Sequence, residues 1–147
     1  MNPELIFADT NIFLRYLTND VPDQADAVEE LLGRAAAGDL VVVSNAMVVA
    51  EIVWTLESFY HQSREEIQEK VIAILGTRGV EVSEAEVILQ AILWYQDKNV
   101  DFIDAFNAAW MLEQGLDRVC SFDRKHFDRF EEIEVVVPGG EEVISDR

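Results

Sequence analysis

Residues 5–14 read LIFADTNIFL: an apolar run from Leu5 to Ala8 meets Asp9, Thr10 and Asn11 before apolar residues resume at Ile12. An uninterrupted apolar run suits a strand buried on both faces, as in a parallel sheet. The polar residues that close it have two readings. One is a turn or a helix start, because Asp, Thr and Asn all favour such positions. The other is a site, because ligands of open parallel sheets sit just beyond the carboxyl ends of the strands.

Working outward, the same alternation recurs along the chain. Strands are expected at 5–8, 40–43, 80–82, 118–121 and 134–137, and helices at 11–17, 23–37, 45–60, 63–75, 83–98 and 101–114, with a short turn near 124–130. Ser63 with Glu66 and Ser83 with Glu86 read as capping boxes, while Gly38, Gly76 and Gly115 stand where helices should stop. Strands separated by helices imply parallel pairing with helices on both faces. There is no internal repeat or linker, so residues 1–147 read as a single α/β domain.

Composition narrows the class. Half of the 147 residues are hydrophobic, which excludes a disordered chain. The start, MNPELIFADT, lacks the basic and long apolar segments of a signal peptide, and no apolar run approaches the ~20 residues of a membrane helix. The single cysteine, Cys120, rules out an internal disulfide and fits a reducing, cytoplasmic setting. The charge is extreme: 29 acids against 11 bases give a formal −18. Such a surface repels nucleic acid, whose affinity comes mainly from Lys and Arg. Most of these acids, such as Glu29, Glu30, Glu65, Glu66 and Glu69, read as solvated helix faces.

A few acids stand in unusual company. Between Ala46 and Leu56 every residue is apolar except Glu51 and Thr55. A helix apolar nearly all round is expected to be buried, by its own core or by a second subunit, and Glu51 then needs a partner or a metal. In DFIDAFNAAWML (101–112), Asp101, Asp104 and Asn107 share one helix face. Asp101 reads mainly as an N-cap; Asp104 is less well explained by capping and reads mainly as functional. In CSFDRKHFDRF (120–130), Asp123 follows a strand, and Arg124, Lys125, His126 and Arg129 crowd behind it. That basic segment is either an exposed turn with its own salt bridges or a hold for phosphates.

Asp9, Ser44 and Asp123 each follow an expected parallel strand, so their side chains are expected along one sheet edge. Asp9, Glu51, Asp104 and Asp123 can then converge, with no Lys or Arg placed between them in sequence. Unpaired carboxylates gathered in this way raise one another's pKa values unless a cation joins them. Mg²⁺ and Mn²⁺ prefer oxygen ligands, whereas two His and one Cys make zinc improbable. Oxygen-bound metal at a strand edge suits phosphodiester hydrolysis.

At this point the chain resembles the PIN domain family of metal-dependent nucleases, and within it the VapC-type toxins of toxin–antitoxin pairs. The resemblance rests on ADTNIFLRYL with Asp9, AEIVWTL with Glu51, DFIDAFNAA with Asp104 and SFDRKHF with Asp123, and covers nearly the whole chain. It implies a three-layer α/β/α sandwich around a central, mainly parallel sheet of four to five strands, often dimeric. It also implies an endoribonuclease that cuts RNA with Mg²⁺ or Mn²⁺ and is held inactive by a small antitoxin protein. Carried over, Asp9 and Asp104 are the main metal ligands, Glu51 is a ligand or water-positioning base, and Asp123 completes the catalytic set. Thr10, Asn11, Asp101 and Ser121 would support the carboxylates, and Arg124, Lys125 and Arg129 would bind substrate. Apolar surface on the helices at 45–60 and 83–98, with Trp54, Trp94 and Tyr95, suggests a homodimer; these aromatics serve equally well as core.

The alternative of another class is a catalytically silent PIN-fold module that only binds or regulates. A receiver-like signalling domain is disfavoured because Asp-Thr-Asn, not an acid pair, follows the first strand. A haloacid-dehalogenase-type phosphatase would want an acid where Asn11 stands, and no glycine-rich phosphate loop is present.

Overall fold

A computed structural model describes residues 2–139 of the chain. The elements run β1 (Glu4–Phe7), α1 (Thr10–Thr18), α2 (Pro22–Ala36), β2 (Leu40–Ser44), α3 (Ala46–Ser58), α4 (Arg64–Leu75), β3 (Val80–Val82), α5 (Ala85–Asp97), α6 (Phe102–Glu113), β4 (Arg118–Cys120), α7 (Arg124–Phe127) and β5 (Glu134–Val136). Two compact units, Met1–Leu89 and Gln90–Arg147, divide the chain within α5. The class is α/β, as expected, and every strand pair is parallel. The central sheet of four to five strands is not what forms. The strands separate into a sheet ordered β1-β2-β3 and a pair β4-β5, the latter made of three-residue strands that offer few ladder bonds.

In the first unit β2 is the middle strand, and it buries Leu40, Val42 and Ser44 on one face. Val49, Ile52 and Leu56 of α3 and Ile67 and Val71 of α4 are buried with them. Helix α3 starts where Asn45 caps the Val48 N–H at 3.1 Å, and α4 starts in a complete Ser63–Glu66 capping box. Gly79 sets the entry to β3 at φ +87, and its carbonyl accepts the Val42 N–H at 2.8 Å. A Cβ there would overlap the Ala35 carbonyl at the end of α2, so only glycine lets helix and strand approach so closely.

Two expectations are corrected here. The first strand is not buried on both faces: β1 is an edge strand paired with β2, and Leu5 and Phe7 are 68% and 55% exposed. The period-two alternation puts those two residues on the same, uncovered face. The Ser83–Glu86 box does not open α5 either. The helix begins at Ala85 behind Glu84, which adopts φ 58, and the Ser83 N–H bonds to the Ser44 carbonyl, extending the sheet.

In the second unit, Ile92, Tyr95, Phe102, Ala105, Ala108 and Phe130 form the core. Tyr95 meets Phe102 edge to face at 6.4 Å, and Trp94 lies 5.0 Å from Phe130. Tyr95 is only 1% exposed. Tyr95 therefore serves the core, and Trp94, half-buried, packs against it at Phe130. Among the described residues no helix is long and apolar enough to cross a membrane.

Candidate functional site

The carboxylates singled out in the sequence fall into two local groups, one in each unit. In the first, parallel register brings Phe7 opposite Val43, so Asp9 emerges just past the carboxyl ends of β1 and β2. The backbone before it is fastened on both sides. The Ala8 N–H donates to the Val43 carbonyl at 2.9 Å, and the buried Ser44 hydroxyl donates to the Ala8 carbonyl at 3.1 Å. Asp9 occupies the N-cap position of α1, yet its side chain makes no capping bond and is exposed. The turn reading of the opening stretch is thus right for the backbone and does not use the Asp9 carboxylate.

Thr10, buried in the first turn of α1, donates its hydroxyl to Glu51 Oε1. Asn11 is exposed beside it. Glu51 itself is exposed, contrary to the expectation of an acid in a wholly apolar setting. Helix α3 buries Val48, Val49, Ile52, Val53 and Leu56, while Met47 and Trp54 on its other face are 79% and 65% exposed. Glu51 shares that outer face, one turn from each.

In the second group Asp101 caps α6, accepting the Ile103 N–H at 3.3 Å. Asp104, one turn on, faces His126. The His126 Nδ1 lies 3.0 Å from Asp104 Oδ2 and 2.9 Å from Asp123 Oδ2, so one imidazole nitrogen bridges two carboxylates. Burial pushes the Asp104 carboxyl above the usual carboxylate range; His126 pulls it back, and Asp101 and Asp123 push it up again. Asp123 sits at the N-terminal end of α7, and its N–H bonds to the Ser121 hydroxyl at 2.9 Å. Ser121 therefore holds the turn that presents Asp123.

The basic segment behind Asp123 divides by its contacts. Arg124 and Lys125 are exposed, and no ion pair engages either among the described residues. Arg129 is fastened instead: its Nη1 donates to the carbonyls of Lys98 and Asn99 at 2.7 and 3.0 Å, just past the end of α5. That anchoring was not foreseen in the sequence.

Among the described residues no three His, Cys, Asp or Glu side chains are arranged as a metal-binding group. The second group shows why a donor set can be present without that arrangement. His126 turns Nδ1 toward both carboxylates, so the nitrogen serves them as a donor. Two acceptor-only carboxylates focused on one point are the ligands that a hard divalent cation prefers. The oxygen chemistry fits such an ion; a nitrogen- and sulfur-preferring metal would find one imidazole and an exposed Cys120 elsewhere on β4.

Sequence reasoning missed what two residues contact. His126 appeared only as part of a basic run, although its spacing of three from Asp123 places both on one side of a helical turn. Ser44 was expected at the site's edge; its hydroxyl instead clamps the backbone that carries Asp9.

The PIN domain family model matches residues 6–133. A protein described as VapC ribonuclease, from Aquifex aeolicus (strain VF5), is 26% identical over 118 residues, 80% of this chain and 86% of that protein.

Proposed function

Because the chain belongs to the PIN domain family, we propose that it is a divalent-metal-dependent endoribonuclease, the toxin of a type II toxin–antitoxin pair. The observation that carries the reading is the focus of Asp104 and Asp123 on one point, now served by His126 Nδ1. A VapC ribonuclease relative that aligns over most of both chains supports it.

In this reading Asp9, Glu51, Asp104 and Asp123 supply carboxylate oxygens to Mg²⁺ or Mn²⁺. When bound, the ion lowers the pKa of a water and offsets charge on the leaving oxygen of a phosphodiester. The chain's own residues then have definite tasks. Thr10 orients Glu51, Ser121 and its turn hold Asp123, and the Ser44–Ala8 clamp fixes the backbone before Asp9. Arg124 and Lys125 hold the phosphates of the RNA, a local exception to a surface of formal charge −18.

The acidic surface also favours a basic partner, which suits a small antitoxin protein that covers the site. The exposed Met47 and Trp54 of α3 suit a homodimer, for which sedimentation at micromolar concentration is the check: a monomer throughout removes it. The protein acts in the cytoplasm, where its RNA substrate is found.

The deciding experiment incubates end-labelled RNA with the purified protein in Mn²⁺, in EDTA, and with Asp9→Asn and Asp104→Asn variants. Cleavage by the unaltered protein in Mn²⁺ alone supports the reading. Equal cleavage by all three proteins identifies a contaminant, and none by any of them favours a silent binding module.

A further inference from the structure

Phe122 is 79% exposed, in a unit that buries Tyr95, Phe102, Phe127 and Phe130 and leaves even Trp110 only 39% exposed. The ring stays outside that core. Nor is it carried on a slack loop. The Ser121 N–H bonds to the Val136 carbonyl at 3.0 Å, and the Asp123 N–H bonds to the Ser121 hydroxyl at 2.9 Å. The residues on both sides of Phe122 are tied down, so the ring is presented from a fixed backbone.

Its neighbours define what it could meet. Asp123, the next residue, shares His126 with Asp104. Arg124 and Lys125 follow, both exposed. One carboxylate, two cations and a bare aromatic face thus occur within four consecutive residues, 122–125. Single-stranded nucleic acid is held by this combination: cations neutralise the backbone while an aromatic ring stacks on a base whose face is free. A duplex hides those faces in its own stack.

Resting on the ribonuclease reading, we propose that Phe122 is a substrate-contacting residue, a platform on which an unpaired base next to the cleaved phosphate stacks. The substrate is then unpaired at the point of cleavage, and selection there depends on base stacking more than on base identity.

The test measures binding without cleavage, by fluorescence anisotropy in EDTA. The probes are a short labelled single-stranded RNA containing one site mapped with the active protein, and the same RNA made abasic on either side of that site. The proteins are the unaltered chain, Phe122→Ala and Phe122→Trp. Phe122→Ala should weaken binding of the intact RNA by roughly tenfold or more. The abasic change should weaken the unaltered protein by a similar factor and add little to Phe122→Ala, because both remove the same contact. Phe122→Trp should restore affinity, with quenching by the intact RNA beyond that of the unaltered protein. Equal affinity of Phe122→Ala and the unaltered protein, or an abasic penalty unchanged by the substitution, overturns the proposal and leaves the nuclease reading standing; that result would reserve the ring for a protein partner. No binding of this RNA by the unaltered protein overturns the proposal, while the cleavage that mapped the site keeps the nuclease reading; failure to map any site overturns both.

Discussion

The Thr10 hydroxyl donates to Glu51 Oε1, joining the first residue of α1 to the middle of α3 across 41 positions of sequence. The bond orders a long, otherwise exposed carboxylate beside the backbone that carries Asp9. Thr10→Val keeps the shape of a buried side chain and removes the donor. It should cost about 1 kcal/mol of stability, read by urea unfolding. If Glu51 serves the metal, cleavage should fall by roughly 10–100-fold, a loss far larger than the stability change explains. Unchanged cleavage would make the bond purely structural.

Asp104 poses an opposite problem, stability against use. Burial raises its pKa in the folded state, with Asp101 and Asp123 adding to the rise and His126 opposing it. The sign follows: stability from this group is full below the unfolded value and is lost as pH rises through the folded one. Asp104→Asn cannot lose it. In EDTA the variant should gain in Tm relative to the unaltered protein at neutral pH, and the two curves should approach each other in acid. Added Mg²⁺ should stabilise the unaltered protein and leave the variant nearly unmoved. A variant less stable at every pH would show that the carboxylate is there for the fold.

A different pH response belongs to Asp20, between α1 and α2. Tyr60 donates to it at 2.6 Å, Thr18 at 2.9 Å, and Arg15 lies at 3.3 Å. The hydrogen bond from Tyr60, then that from Thr18, holds its carboxyl below its ordinary value of 3.8, with Arg15 contributing less. Here stability is present above the unfolded value and is lost as pH falls through the folded one. Tyr60→Phe should therefore lower the urea midpoint at neutral pH, with the difference shrinking below pH 3.8. A difference constant from neutral to acid would assign the effect to packing.

Gly79 carries the sharpest steric prediction. At φ +87, with a Cβ that would overlap the Ala35 carbonyl and approach Ala35 Cβ to 2.8 Å, alanine is wrong in both backbone and space. Gly79→Ala should destabilise by about 2 kcal/mol or more. Gly115→Ala, also at positive φ (80) but with open space around it, should cost less. Equal losses would mean that backbone conformation alone matters.

These cases show what was legible in the sequence. Periodicity and punctuation located the elements well: Gly38 and Gly115 take positive φ at helix ends, and Ser63–Glu66 is a complete box. Sheet membership was not legible, because Arg118–Cys120 and Glu134–Val136 are strands by pattern while their partners are chosen in three dimensions. Composition also overstated burial on α3, where an apolar Met47 and Trp54 are exposed. At the candidate site, Asp9, Glu51 and Asp104 stand out in the sequence because each interrupts an apolar run. Their partners were not: Thr10 and Ser44 were placed near the site, but what they and His126 bond to depends on contacts 41, 36 and 22 positions away.

Asp9 stands where a capping side chain belongs, and its carboxylate is withheld from that service. Optimisation for thermal endurance alone would recruit the position, closing the first turn of α1 with a serine or threonine and gaining ~1 kcal/mol. The hardier protein so obtained would have surrendered the charge that, in the ribonuclease reading, this open end of the helix offers to the metal.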